Sequence, residues 1–263
     1  MKVWTLMENT ACRHDLAAEH GLSLYIETKD HRILFDTGQS GAFADNADKM
    51  GIDLSRVDLV VLSHGHYDHG GGLFRFLERN TFAPIYLSRH ALEPHYNGQH
   101  KYIGLDPALA ACGRLVFTGA REEIGDGLTL LSCNERQRPF PTDPFGLTVM
   151  ENGKLCPEDF RHEQYLLVEE QGKRICFSGC SHKGILNIVR WFTPDVLVGG
   201  FHFMQLDPAG SGRNVLEASA DVLLQCNTRY YTGHCTGTAQ YEYMKRIMGH
   251  RLEALSAGSC FEI

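Results

Sequence analysis

Apolar residues cluster in short runs of two kinds, and the kinds change along the chain. VWTLM (3–7) reads as a strand, and LSLYIET (22–28) with RILFDTG (32–38) reads as a hairpin turning at Lys29-Asp30-His31. VDLVVLS (57–63) is continuously apolar, the pattern of a strand buried on both faces. APIYLS (83–88) and LTLLS (128–132) predict further strands, and YLLVEEQGKRICFSG (165–179) a second hairpin turning at Gln171-Gly172-Lys173. Helical spacing marks 40–51, 71–80, 182–192, 213–226 and 238–249, with PDVLVGGFHF (194–203) and RYYT (229–232) as intervening strands and a short strand at the C-terminus. Residues 90–125 mix helical and loop character. Residues 134–160, rich in proline and glycine, predict one long loop. Strands come first and then alternate with helices, which is an α/β plan mixing hairpins and crossovers.

Composition narrows the class. The length suits one domain over 1–263 with a sizeable core. A formal net charge of −7 gives no compositional support for binding nucleic acid. No apolar run reaches the roughly 18 residues of a membrane span, and MKVWTLMENTACRHD turns polar after Met7, unlike a signal peptide. The nine cysteines are odd in number and scattered, without a CxxC pair. Free thiols and a cytoplasmic location are therefore expected.

The fourteen histidines are the unusual feature. SHGHYDHGGG (63–72) places His64, His66, Asp68 and His69 between a buried strand and a helix. Imidazole and carboxylate suit zinc, and also iron or manganese. On an extended segment His64 and His66 share a side, because side chains repeat every two residues. Asp68 and His69, at the turn into the helix, can face a second point. One loop can thus serve two metals, and Gly70, Gly71 and Gly72 allow close backbone approach.

This run matches the HxHxDH signature, and the chain resembles the metallo-β-lactamase superfamily over nearly its whole length. The resemblance implies a four-layer αββα sandwich with mixed sheets and the metals at one edge. It implies that Asp36, in ILFDTG, supports the metal loop from behind. It also implies three later ligands: His162 before the second hairpin, His234 in TGHCTG, and a bridging residue after that hairpin. The bridging place, an aspartate in relatives, is Cys180 here, a softer donor that favours zinc. His182, two residues on, is a second candidate as ligand or general acid. SHGHYDHGGGL, LSRHALEP, GCSHKGI, GGFHF and GHCTG together resemble a metal-dependent hydrolase branch, some of whose members are 7,8-dihydropterin-6-methyl-4-(ribofuranosyl)aminobenzene 5′-phosphate synthases.

The expectation is an enzyme with two divalent metal ions, zinc first and manganese or iron as alternatives. His64, His66 and His162 would hold one ion, and Asp68, His69 and His234 the other, with Cys180 between them. The implied reaction is hydrolysis by a metal-bound hydroxide of a phosphoester or related anionic small molecule. Asp68, His182 and His202 are the candidate catalytic residues, His202 because it ends the buried run VLVGG. Arg89, His90, Lys101 and Tyr102 are candidates to grip an anion. The alternative is a pterin-linked synthase. A di-iron redox or sensing protein ranks lowest, since that class needs a carboxylate-rich ligand set.

Overall fold

A computed structural model describes residues 1–263. Two seven-stranded sheets face each other. The first runs Cys260–Glu262, Lys2–Met7, Ser23–Glu27, Arg32–Phe35, Leu59–Val61, Ile85–Ser88, Leu115–Thr118. The second runs Leu252–Ala254, Arg229–Thr232, Val196–Val198, Lys173–Phe177, Tyr165–Glu170, Leu128–Leu131, Arg121–Gly125. Both are mixed: the two expected hairpins pair antiparallel, and crossover strands continue each sheet in parallel.

Residue alternation builds the layers. Ile33, Phe35, Leu59 and Val61 point from the first sheet onto Ile175, Phe177, Val196 and Val198 of the second, in one buried cluster. Their neighbours Leu34 and Val60 turn the other way, onto Phe43, Ala47, Leu73 and Phe76. These belong to the helices Ala42–Lys49 and Leu73–Arg79. Cys176, Leu197 and Tyr230 likewise turn outward onto Ile188, Phe192, Leu216, Leu223 and Met244. Those come from the helices Ile185–Phe192, Gly212–Gln225 and Thr238–Met248. The central strands are apolar at every position because each is covered on both faces. The result is the expected helix–sheet–sheet–helix sandwich.

Three expectations change. The 134–160 segment is not a single loop, because Leu147–Glu151 and Lys154–Pro157 form a hairpin. Nor is 90–125 partly α-helical: it holds the short strands His95–Asn97 and Lys101–Tyr102, a 3₁₀ turn at Pro107–Ala111, and edge strands of both large sheets. The first two strands join the 147–157 hairpin in a separate four-stranded sheet, so local pattern missed a sheet made by distant segments. The third change is at 182–192, where the helix starts only at Ile185. Ser181 and Gly184 have φ of 58° and 86°, and His182 therefore sits in a tight turn.

Candidate metal centre

The site lies where parallel strands end. His64 follows Leu59–Val61, Cys180 and His182 follow Lys173–Phe177, His202 follows Val196–Val198, and His234 follows Arg229–Thr232. All these strands leave the two sheets at the same edge. His66, Asp68, Cys180, His182, His202 and His234 line one cleft there, together with His20, Asn97, Lys101, Phe145, Met204 and Cys235.

Close approach is built in by glycine. A Cβ on Gly179 would lie 2.1 Å from Ser63 Oγ, and one on Gly65 would lie 2.2 Å from the Ala91 carbonyl oxygen.

Hydrogen bonds decide which nitrogen each imidazole offers. Asp36 is fully buried, and its carboxylate accepts the Ser63 N–H at 2.7 Å, the Ser63 hydroxyl at 2.7 Å and His69 Nδ1–H at 2.6 Å. Ser63 Oγ in turn accepts His64 Nδ1–H at 2.8 Å, and Asn9 Oδ1 accepts His234 Nδ1–H at 3.0 Å. His64, His69 and His234 are thereby left with an Nε2 lone pair. The Nε2 atoms of His69 and His234 are 3.1 Å apart. Cys180 Sγ is 3.1 Å from His69 Nε2, and Asp68 Oδ2 is 3.3 Å from His234 Nε2. Lone pairs this close repel unless a proton or a cation lies between them. A carboxylate, a sulfur and two imidazoles around one point form a donor set that fits a divalent metal ion.

A second point lies beside it. Ligand atoms of His64, His66 and His182 are within 4.8 Å of one another. His64 Nε2 and both nitrogens of His182 are sealed from solvent without a partner. His162 is placed differently from the expectation. Its Nδ1 accepts the Gly65 N–H at 2.9 Å, so the neutral ring carries its proton on Nε2. That nitrogen falls in a group with His66, His95 and Glu158.

Burial and mutual repulsion push His64, His66, His162 and His182 well below the ordinary imidazole range. Burial also opposes charge on His69, but Asp36 and Asp68 outweigh it and raise His69. Asp68 is desolvated too, yet His69, His20 and His234 hold it well below the usual carboxylate range. The pH consequence has a definite sign. Below about 6.5 the unfolded chain protonates the four depressed histidines and the native state does not. Metal-free protein is therefore expected to lose stability as pH falls from 6.5 to 5, by up to about 1.4 kcal/mol per pH unit for each histidine. Urea unfolding of chelator-treated protein measures this, and a flat or rising midpoint on acidification would rule it out.

Nine of the fourteen histidines gather at this edge: the seven expected there plus His20 and His95. His20, His95, Glu158 and Asn9 are not among the expected residues and no local motif marks them, while Cys235 lies in GHCTG beside His234 without an expected role. Among the candidates for anion binding, Lys101 reaches the cleft. Arg89 and His90 line a different depression, and the Tyr102 hydroxyl donates to the Leu105 carbonyl.

The family profile of the metallo-β-lactamase superfamily matches residues 17–222. The chain belongs to this superfamily. It is 28% identical, over 98% of its length and 95% of the relative's, to the 7,8-dihydropterin-6-methyl-4-(β-D-ribofuranosyl)-aminobenzene-5′-phosphate synthase of Methanocaldococcus jannaschii. It superposes on the crystal structure of Tm1679, a metal-dependent hydrolase of the β-lactamase superfamily, with a TM-score of 0.85 at 28% identity, covering 100% and 99% of the two chains. Zn²⁺-bound PqqB from Methylobacterium extorquens shares the fold, with a TM-score of 0.61 at 15% identity over 100% of both chains. No helix of this superfamily member is long and apolar enough to cross a membrane.

Proposed function

We propose that this protein is a metal-dependent hydrolase of a phosphoester or related anionic small molecule, folded as one domain over 1–263. The observation that carries it is the facing pair of His69 and His234 Nε2 atoms, with Cys180 and Asp68 beside them. Asp68, His69, His234 and Cys180 would hold one divalent ion, and His64, His66 and His182 the other. Two such ions would supply an activated water and neutralise charge on the attacked group.

The chain's own residues divide the remaining work. Asp68 stays ionised. His182, pushed down by burial, is neutral and suited to ligation. Burial also opposes charge on His202, but Cys235, Glu163 and Asp68 outweigh it and raise the ring, which suits a proton donor to a leaving group. Lys101 is the one lysine or arginine lining the cleft and would meet the substrate's anion. The second reading, a pterin-linked synthase, is favoured by the full-length similarity to the M. jannaschii enzyme.

Metal analysis of the purified protein, paired with a screen of phosphodiesters, lactones and pterin phosphates, tests both readings. Hydrolysis without a second substrate supports the hydrolase. Condensation of two substrates supports the synthase, and full turnover by metal-free protein sinks both. Cys180→Asp is expected to bind the ion assigned to Asp68, His69 and His234 more tightly, since a carboxylate adds a hard, charged donor. Unchanged stoichiometry and affinity in a metal titration would put Cys180 outside the site.

A further inference from the structure

Behind His66, on the side away from the cleft, lies a sealed polar cluster. The Glu158 carboxylate accepts His95 Nδ1–H in a close contact, and both side chains are about 1% exposed. The other Glu158 oxygen is 3.6 Å from His162 Nε2. The His95 and His162 rings stack with centroids 4.0 Å apart at 24°. His66 meets His95 edge-on at 5.6 Å. One nitrogen each of His66, His95 and His162 and an oxygen of Glu158 all lie within 4.8 Å of one another. The Nε2 atoms of His66, His95 and His162 are sealed and without a partner.

Tautomers give this cluster a direction. Donation to Glu158 puts the His95 proton on Nδ1 and leaves a lone pair on Nε2. A lone pair backed by a buried carboxylate makes the potential negative behind His66. That favours the His66 proton on its sealed Nε2 and leaves Nδ1, the nitrogen open to the cleft, free to donate to a cation. His162 braces the same loop by accepting the Gly65 N–H at 2.9 Å. We propose that Glu158 and His95 are positioning residues that set the tautomer and orientation of His66 at the metal position it shares with His64 and His182. This rests on the two-ion reading above, with His66 as a ligand.

The test is a cobalt(II) titration of the whole protein, read by the d–d spectrum and by chelator competition. Wild-type protein is expected to bind two ions. Glu158→Leu is expected to keep the stoichiometry and to weaken one of the two affinities by about 10–100-fold, with an altered spectrum at that site. Glu158→Gln, which still offers an acceptor to His95, is expected to recover part of the loss. His95→Phe keeps the ring stack while removing the nitrogen, and should reproduce the loss in a protein with a wild-type urea midpoint. Unchanged affinities and spectra in the folded variants would overturn the inference. So would a third ion in wild-type protein that His95→Phe abolishes, which would make the cluster a cation site. If none of the variants folds, the role is structural and the inference also fails. Wild-type protein that binds no cobalt would sink the two-ion reading itself, a result seen before any variant is made.

Discussion

On the proposed two-ion reading, Asp68→Ala is expected to give a folded protein that holds one divalent ion fewer and turns over its substrate at least about 10³-fold more slowly. The factor follows from the several kcal/mol of charge stabilisation a metal supplies in such a reaction, at 1.36 kcal/mol per tenfold. Asp68 is 8% exposed, and Oδ2 lies 3.2 Å from His20, 3.3 Å from His234 and 3.9 Å from His69. Its removal takes away the carboxylate that faces the Nε2 atoms of all three rings and leaves imidazoles to repel one another around a neutral methyl group. The fold should survive, because Asp68 sits at the cleft surface and belongs to none of the three apolar clusters. His66→Ala should remove the other ion with a comparable loss, and the exposed His14→Ala serves as the control. Elemental analysis and turnover on the same preparations decide it. A wild-type metal count in Asp68→Ala would remove Asp68 from the ligand set.

Asp36→Ala is expected to act on stability first, lowering it by about 3–5 kcal/mol, the usual cost of stripping one partner from a buried charged network. Three donors converge on this carboxylate: the Ser63 N–H, the Ser63 hydroxyl and His69 Nδ1–H. None can reach water, since Asp36, Ser63 and His69 are all fully buried. The backbone adds to the cost. Asp36 has φ of 59°, a left-handed conformation that aspartate and asparagine tolerate better than alanine. Losses of this size are a large part of the about 5–15 kcal/mol that holds a domain folded. Asp36→Asn keeps the backbone preference and one acceptor, so it should lose less. Urea unfolding at pH 7 compares the three proteins, and a loss below about 1 kcal/mol in Asp36→Ala would mean the network relaxes around the gap. Where the variant folds, the His69 tautomer is no longer held, so metal affinity should fall as well.

Much of this fold is legible in the residues. VDLVVLS and the apolar half of PDVLVGGFHF have no polar face, which demands cover on both sides, and the layered sandwich supplies it. The hairpins announce themselves by Lys29-Asp30-His31 and Gln171-Gly172-Lys173. The small sheet over the cleft is not legible, because strand pairing between 95–102 and 147–157 depends on where the large sheets hold those segments. At the site, His64, His66, Asp68 and His69 are read at once, since their spacing is local. Asn9 and His234 are 225 positions apart, and His95 and Glu158 are 63 apart, so nothing local links them.

The sequence by itself determined the donor types and the loop that carries four of them, because residue identity and short spacing need no tertiary partner. It also determined which strands are covered on both faces, because apolar content is a property of each segment alone. Only the tertiary structure decided which nitrogen each histidine offers. A neutral imidazole has one proton to place, and the group beside its other nitrogen settles where it goes. Asp36 frees His69 Nε2 in that way, the Gly65 N–H occupies His162 Nδ1, and His182 arrives beside His64 and His66.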